Sequence, residues 1–167
     1  FNVKNVIINN ELSFKKFKKL NKNKKLKIFN NFNAYKKIFK KKIDYAMSSI
    51  VGIDGLDPTI HIIKFKKKIA IANKESIICA WNLINRELIK NKTQFIPVDS
   101  EHFSIWSTLK NSFNKDIDKI FITASGGPFY KLPISKFSKI KIKDAVKHPN
   151  WKMGKKISVD SSTMMNK

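Results

Sequence analysis

Short apolar and β-branched runs alternate along this chain with stretches of helical periodicity, and that alternation predicts an α/β fold with a largely parallel sheet. Val6-Ile7-Ile8 reads as a strand, residues 12–20 as a Lys-rich helix with Phe14 and Phe17 on one side, Leu26-Lys27-Ile28-Phe29 as a second strand and 33–42 as a second Lys-rich helix. Ser48-Ser49-Ile50-Val51 is the next strand and runs into Gly52-Ile53-Asp54-Gly55-Leu56, whose glycines permit a tight turn. Such a turn at a strand's carboxyl end is where open α/β sheets bind ligands, although a plain strand-to-helix connection fits the spacing equally well. Ile69-Ala70-Ile71-Ala72 is a further strand, after which Ile77, Ala80, Trp81, Ile84 and Leu88 recur at helical spacing. Phe95-Ile96-Pro97-Val98 and Lys119-Ile120-Phe121-Ile122-Thr123 complete the strands.

The polar residues at the ends of these runs are the candidates for chemistry. Asp99-Ser100-Glu101-His102 follows an apolar run, and on an extended strand end the side chains at i and i+2 share a face. Asp99 and Glu101 could then converge on one hard divalent cation; solvated turn carboxylates are the plainer reading. Asn73-Lys74-Glu75 lies between a strand and a helix, where Glu75 suits the positive helix end. Ser125-Gly126-Gly127 is a loop whose amides and hydroxyl suit an anion, or an ordinary turn. Ser161 falls where a helix could begin after Asp160, which would make it an N-cap, an anion contact, or both. The stretch 130–156, with Pro133, Pro149 and Gly154, has the composition of a mobile lid.

Composition narrows the function classes. The 167 residues, 42% of them hydrophobic, can bury a core and suit one domain or parts of two. The formal charge of +23 would favour polyanions by counterion release, yet Arg86 is the only arginine and 34 of the 35 basic residues are Lys. Arginine's bidentate fork is what reads guanine and phosphate, so this bias argues against specific nucleic-acid recognition. Together with abundant Asn, Ile and Phe it points to A/T-rich coding. Charge runs such as 14–42 read as solvated helix faces ahead of a membrane- or RNA-binding surface. The single Cys79 excludes an intrachain disulfide and a Cys-based zinc site, and its apolar neighbourhood suggests a buried thiol. No uncharged apolar run reaches about eighteen residues, so no transmembrane helix is expected.

Four segments, taken in order, carry a resemblance: Ile71-Ala72-Asn73-Lys74-Glu75-Ser76, the Asp99-Ser100-Glu101 site, Thr123-Ala124-Ser125-Gly126-Gly127-Pro128-Phe129, and the run from His148-Pro149-Asn150-Trp151 to Val159-Asp160-Ser161-Ser162-Thr163-Met164-Met165-Asn166-Lys167. With Phe1-Asn2-Val3-Lys4 and Ile50-Val51-Gly52, the chain resembles the 1-deoxy-D-xylulose 5-phosphate reductoisomerase family through nearly its whole length. The resemblance implies an NADPH-dependent oxidoreductase and isomerase that forms 2-C-methyl-D-erythritol 4-phosphate in non-mevalonate isoprenoid synthesis. It implies catalytic roles for Lys74, Glu101 and His148, and substrate contacts from Lys74, Ser100, Glu101, Ser125, His148, Ser161, Asn166 and Lys167. By the same resemblance Asn73, Glu75 and Gly154 touch NADPH, Asp99 and Glu101 bind Mn²⁺ or Mg²⁺, and Trp151 and Met153 belong to a lid. The chain departs from the family at Ile53, Asp54 and Phe103, and none of the three is assigned a role.

The fold implied is part of a Rossmann-like NADPH-binding domain over 1–81, a connector over 82–94, and part of an α/β catalytic domain over 95–167. In the family a Gly-rich loop precedes the position of Phe1 and a metal-binding Glu follows three residues after that of Lys167. An internal segment of a homodimeric parent is therefore expected, acting on a small sugar phosphate in a bacterial cytoplasm or a plastid-type organelle. By itself such a segment would be inactive, with exposed sheet edges and marginal stability. The other readings are a Lys-rich polyanion-binding module, which would be indifferent to Asp99 and Glu101, and an inactive relic.

Overall fold

The computed structural model describes residues 2–110, 116–150, 152 and 154–163, in two compact units, Phe1–Ile96 and Pro97–Lys167. The first unit runs β1 (Asn5–Ile7), α1 (Glu11–Leu20), β2 (Lys27–Phe29), a 3-10 turn (Phe32–Ala34), α2 (Tyr35–Ile38), β3 (Ile43–Ser48), a second 3-10 turn (Ile53–Gly55), α3 (Leu56–Ile63), β4 (Lys66–Ile71), α4 (Lys74–Asn91) and β5 (Gln94–Pro97). β1 pairs with β2 in parallel; β3, β4 and β5 form a second sheet in that order, with β3 and β4 parallel and Ser48 opposite Ile71. Two successive strand-helix-strand connections make this the α/β arrangement the alternating pattern predicts.

Its core is Ile63 of α3, Ile69 and Ile71 of β4, and Ile84 and Leu88 of α4, flanked by Ala46, Leu56, Ile60, Ile62, Ile77 and Phe95. Each of these five buried aliphatic side chains contributes about 1.5–3 kcal/mol relative to exposure. The buried stripe of α4 is Ser76, Ala80, Ile84 and Leu88, a repeat of four. Cys79 sits one residue off that stripe and is exposed, contrary to the expected buried thiol. The helix also bends at Ala80, whose φ of −144° and ψ of 34° are not helical. Its C-terminal half, to Asn91, occupies most of the stretch 82–94 that was expected to act as a connector. No residue of α1 is buried, so its lysines form a solvated face.

The helix expected over 33–42 is shorter, with four residues in α2. Lys36 and Lys37 would face Lys40 and Lys41 one turn on, and such like-charged pairs oppose helix continuation. Phe39 instead turns extended, with its N–H still bonded to the Tyr35 carbonyl at 2.8 Å. That turn sets the Phe39 ring over Lys66, whose Nζ lies 3.5 Å from the ring centroid. Lys66 is 2% exposed, and the aromatic face supplies the favourable contact for a cation removed from water.

The second unit holds α5 (Ser100–Leu109), a 3-10 segment (Ile134–Lys139), α6 (Ile142–Ala145) and α7 (Lys155–Ser162). The strand expected over 119–123 is irregular here, with Ile120, Phe121 and Ile122 exposed. A strand needs a neighbour for its backbone groups, and among the described residues nothing pairs with it. No helix among the described residues is long and apolar enough to cross a membrane.

Burial lowers the Lys66 ammonium from 10.5 to about 8. Between those values the unfolded chain holds a proton that the folded chain has released, so this group's contribution makes stability rise with pH across the window, with its penalty complete below about 8. Melting temperatures measured through the window should rise more steeply for the wild type than for Lys66→Met. Equal slopes would contradict the buried ammonium.

Candidate functional site

The candidate residues form two groups, one in each unit. In the first, α4 begins immediately after β4, and Asn73 caps it with its Oδ1 accepting from the Ser76 N–H at 2.6 Å. Lys74 and Glu75 are the first helical residues, both half-buried, at the positive end of the helix. The Asn73 side chain also donates through Nδ2 to the carbonyls of Gly52, at 2.7 Å, and of Ile50. Both Nδ2 hydrogens are therefore spent inside the protein, and Asn73 is 2% exposed.

β5 ends at Pro97, and Asp99, two residues on, is the N-cap of α5 in the second unit. Its Oδ1 accepts from the His102 N–H at 3.0 Å and from His102 Nδ1 at 2.6 Å. A carboxylate can only accept, so His102 carries a proton on Nδ1. The shared strand face expected for Asp99 and Glu101 does not form, because the chain turns helical at Ser100 and the two carboxylates belong to a helix start. Helix formation overrides the strand reading since the Asp99 side chain satisfies an otherwise orphaned amide. His102 stands in the first turn of α5, and the Asp-x-x-His spacing is the signal in the sequence for its bond to the cap.

Ser100, Glu101, Thr123, Ala124, Ser125, Ile157 and Ser161 line one cleft of about 550 Å³. Four of the sequence-predicted residues, Ser100, Glu101, Ser125 and Ser161, are thereby brought together from three separate segments. His148 joins them through Nε2, 2.9 Å from Ser125 Oγ, and is 7% exposed. Its Nδ1 accepts from the Asn150 N–H at 3.1 Å, which leaves the ring proton on Nε2 when the imidazole is neutral. The chain of bonds runs from the Asn150 amide through His148 to Ser125 Oγ, and from that hydroxyl to the Ser161 carbonyl at 2.9 Å. The Ser125 N–H donates to the same carbonyl, also at 2.9 Å.

Ser161 is in the last turn of α7 and does not begin a helix, as was expected. The helix starts earlier, behind the Gly154 cap, and runs to Ser162, where Ser162 Oγ and Ser161 Oγ bond back to the Ser158 carbonyl at 2.7 and 3.3 Å. The helix dipole at Ser161 therefore presents its negative end, and an anion in the cleft must be held by hydroxyls and loop amides. Gly126 and Gly127 have φ of 78° and 60°. A Cβ on Gly127 would lie 2.5 Å from Ser162 Cβ, so only glycine lets this loop close against the end of α7. At Gly154 a Cβ would meet nothing within 4 Å, which leaves open space beside the backbone there. Trp151, Met153, Asn166 and Lys167 lie outside the described residues.

Asp99 and Glu101 offer only hard oxygen donors, the chemistry of a Mg²⁺ or Mn²⁺ site, and Cys79 is far away in sequence on an exposed helix face. Among the described residues no group of three or more His, Cys, Asp or Glu could hold a metal ion. Two carboxylates by themselves would supply only part of such a coordination shell.

The chain is similar to known proteins over nearly its whole length. A family model for 1-deoxy-D-xylulose 5-phosphate reductoisomerase matches residues 1–81, and one for the C-terminal domain of that enzyme matches 95–167. The 1-deoxy-D-xylulose 5-phosphate reductoisomerase of Pelagibacter ubique is 63% identical over 169 residues, covering 100% of this chain and 44% of the relative. The Clostridium perfringens protein of the same name is 44% identical, with the same two coverages. Among solved structures, the Zymomonas mobilis reductoisomerase in complex with NADPH superposes with a TM-score of 0.80 at 32% identity, over 99% of this chain and 42% of that one. A reductoisomerase complex with NADPH, fosmidomycin and magnesium gives 0.77 at 30% identity, over 98% and 43%. The chain spans less than half the length of these proteins, and by the two family matches and the 63% identity it belongs to the 1-deoxy-D-xylulose 5-phosphate reductoisomerase family.

Proposed function

We propose that this chain supplies cofactor-, metal- and substrate-binding residues to an NADPH-dependent reductoisomerase that converts 1-deoxy-D-xylulose 5-phosphate to 2-C-methyl-D-erythritol 4-phosphate in isoprenoid synthesis. The observation that carries the reading is the cleft in which Ser100, Glu101, Ser125 and Ser161 meet beside His148. Relatives solved with NADPH, magnesium and fosmidomycin support the same cofactors here.

In this reading the Ser125 and Ser161 hydroxyls rotate from the carbonyls of Ser161 and Ser158 to donate to the substrate phosphate, and Asn166 and Lys167 add to that grip. Ser100 and Glu101 orient the sugar oxygens at the other wall of the cleft. The donor chemistry of Asp99 and Glu101 would hold the divalent cation, which when bound supplies Lewis-acid polarisation and a template for the substrate oxygens. Lys74 directs a compact ammonium at a substrate oxygen where negative charge develops. Glu75 and the open space at Gly154 serve the nucleotide, and His148, Trp151 and Met153 close over the substrate and exclude water. His148 can hold Ser125 in place before substrate arrives, because its Nε2–H donates to that hydroxyl. The whole protein is read as a homodimer working in a bacterial cytoplasm or plastid-type compartment, with no sequence-specific nucleic-acid partner.

The test exchanges this chain for the matching stretch of the Pelagibacter ubique relative and follows NADPH oxidation with the sugar phosphate and Mg²⁺. Metal-dependent oxidation is expected; a folded chimera that oxidises no NADPH contradicts the reading. Glu101→Gln should then lower turnover at least about a hundredfold while leaving the melting temperature unchanged, and retained turnover with the same metal dependence would falsify the assignment of Glu101. Ser125→Ala removes a hydroxyl from the phosphate side, so KM for the sugar phosphate should rise about 10–100-fold with kcat changed far less. A fall in kcat alone would move Ser125 from phosphate binding to the chemical step.

A further inference from the structure

Asn73 does more than cap a helix. Ile50 and Gly52 offer it carbonyl oxygens, and Ser76 offers it an N–H, so the orientation of its amide is fixed, with nitrogen toward the first two and oxygen toward the third. One buried side chain thus ties the turn after β3 to the first turn of α4. β3 and β4 are adjacent parallel strands, with Ser48 opposite Ile71, so Asn73 bridges the carboxyl ends of two neighbouring strands, the crevice where α/β sheets receive ligands.

The turn is held from its other side as well. Thr59 of α3 donates to the Gly55 carbonyl at 2.6 Å and sits 2.5 Å from the Ser48 hydroxyl, and Thr59 is fully buried. Gly55 lies between the two clamps. A Cβ there would fall 2.4 Å from Asn73 Nδ2 and 2.6 Å from the Ile50 carbonyl oxygen, so any side chain at 55 must push Asn73 or the backbone aside. Asn73 has no Nδ2 hydrogen left for a ligand, and its burial leaves it little surface to offer one.

We propose that Asn73 is a positioning residue for the dinucleotide side of the site, a latch that holds the Gly52 turn and the Lys74-Glu75 helix start in one geometry, and that Gly55 is the gap that lets the latch seat. This rests on the reductoisomerase reading for what the latched elements bind. It replaces a direct side-chain contact between Asn73 and NADPH by an indirect role, and it gives Gly55 a part in cofactor binding through the seating of Asn73.

Four variants in the full-length chimera, three single and one double, separate the alternatives. Asn73→Asp keeps an oxygen for the Ser76 amide and turns two donors into acceptors facing carbonyls, so it preserves the cap and breaks the latch. Asn73→Asp and Gly55→Ala are each expected to raise KM for NADPH by about tenfold or more, since a misplacement of about 1 Å at a binding element can cost up to a hundredfold. KM for the sugar phosphate should change several-fold less than KM for NADPH in both, because Lys74 is the one latched residue that reaches the substrate, a split that a general loss of folded protein would not give. Combining Gly55→Ala with Asn73→Ala should cost less than the sum of the two single changes, because the added methyl meets a turn already released. Wild-type KM for NADPH in Gly55→Ala, or in Asn73→Asp, overturns the latch, and so does full additivity. Amide exchange of residues 50–55 reads the latch without turnover: both variants should speed it about tenfold or more, and unchanged exchange overturns the proposal even if the chimera reduces no substrate. Absence of turnover in the unmodified chimera with accelerated exchange in the variants would instead count against the reductoisomerase reading alone.

Discussion

The side chain that satisfies the first amides of a helix is the constraint on which both groups of candidate residues depend. Asn73 at α4 and Asp99 at α5 occupy the same place in successive units of the chain, each at the residue before a helix that follows directly on a strand. A helix leaves its first amides without partners, and an Asn or Asp at this position supplies one at short range. That local bond decides where the helix begins, and so decides which way Lys74, Glu75, Ser100 and Glu101 leave the backbone. In both cases the capping side chain makes a further bond outside the helix amides, Asn73 to the Gly52 turn and Asp99 to the His102 ring. The caps therefore join secondary structure to the site, and a change at either acts on binding groups several residues away.

Periodicity was a good guide where burial and hydrogen bonding agree. β4 and α4 were legible because Ile69 and Ile71, then Ala80, Ile84 and Leu88, fill one core. It failed where tertiary partners decide. The run 119–123 has strand composition, yet a strand is a property of two segments and no described neighbour completes it. Cys79 sits among apolar residues in sequence, but the helix points it away from the core, a fact that depends on a phase only packing can set. At α7 serine's preference for caps suggests a helix start at Ser161; Ser161 and Ser162 instead sit at the helix end and bond back to the preceding turn.

The candidate site was legible as a set of residues and illegible as a geometry. Ser100, Glu101, Ser125, His148 and Ser161 stand in segments up to sixty residues apart, and only the fold shows that four of them line one cleft and that His148 leans on Ser125. Nor could composition reveal that the α7 dipole opposes an anion at Ser161, which throws the binding of a phosphate onto hydroxyl groups and the glycine loop. The two glycines there were visible in sequence, and the reason for the second, the approach of Ser162, was not.

The chain's own hydrogen bonds build these clusters before any ligand arrives, and two of its three histidines report on them directly. Ring ¹⁵N spectra of the chain, recorded above the ordinary histidine range, distinguish which nitrogen carries the proton. His102, donating to Asp99, should be protonated on Nδ1, whereas His148, accepting from the Asn150 amide and donating to Ser125, should be protonated on Nε2. Opposite tautomers in one spectrum would match the described site. The same tautomer at both positions, or averaged signals from both, would contradict it.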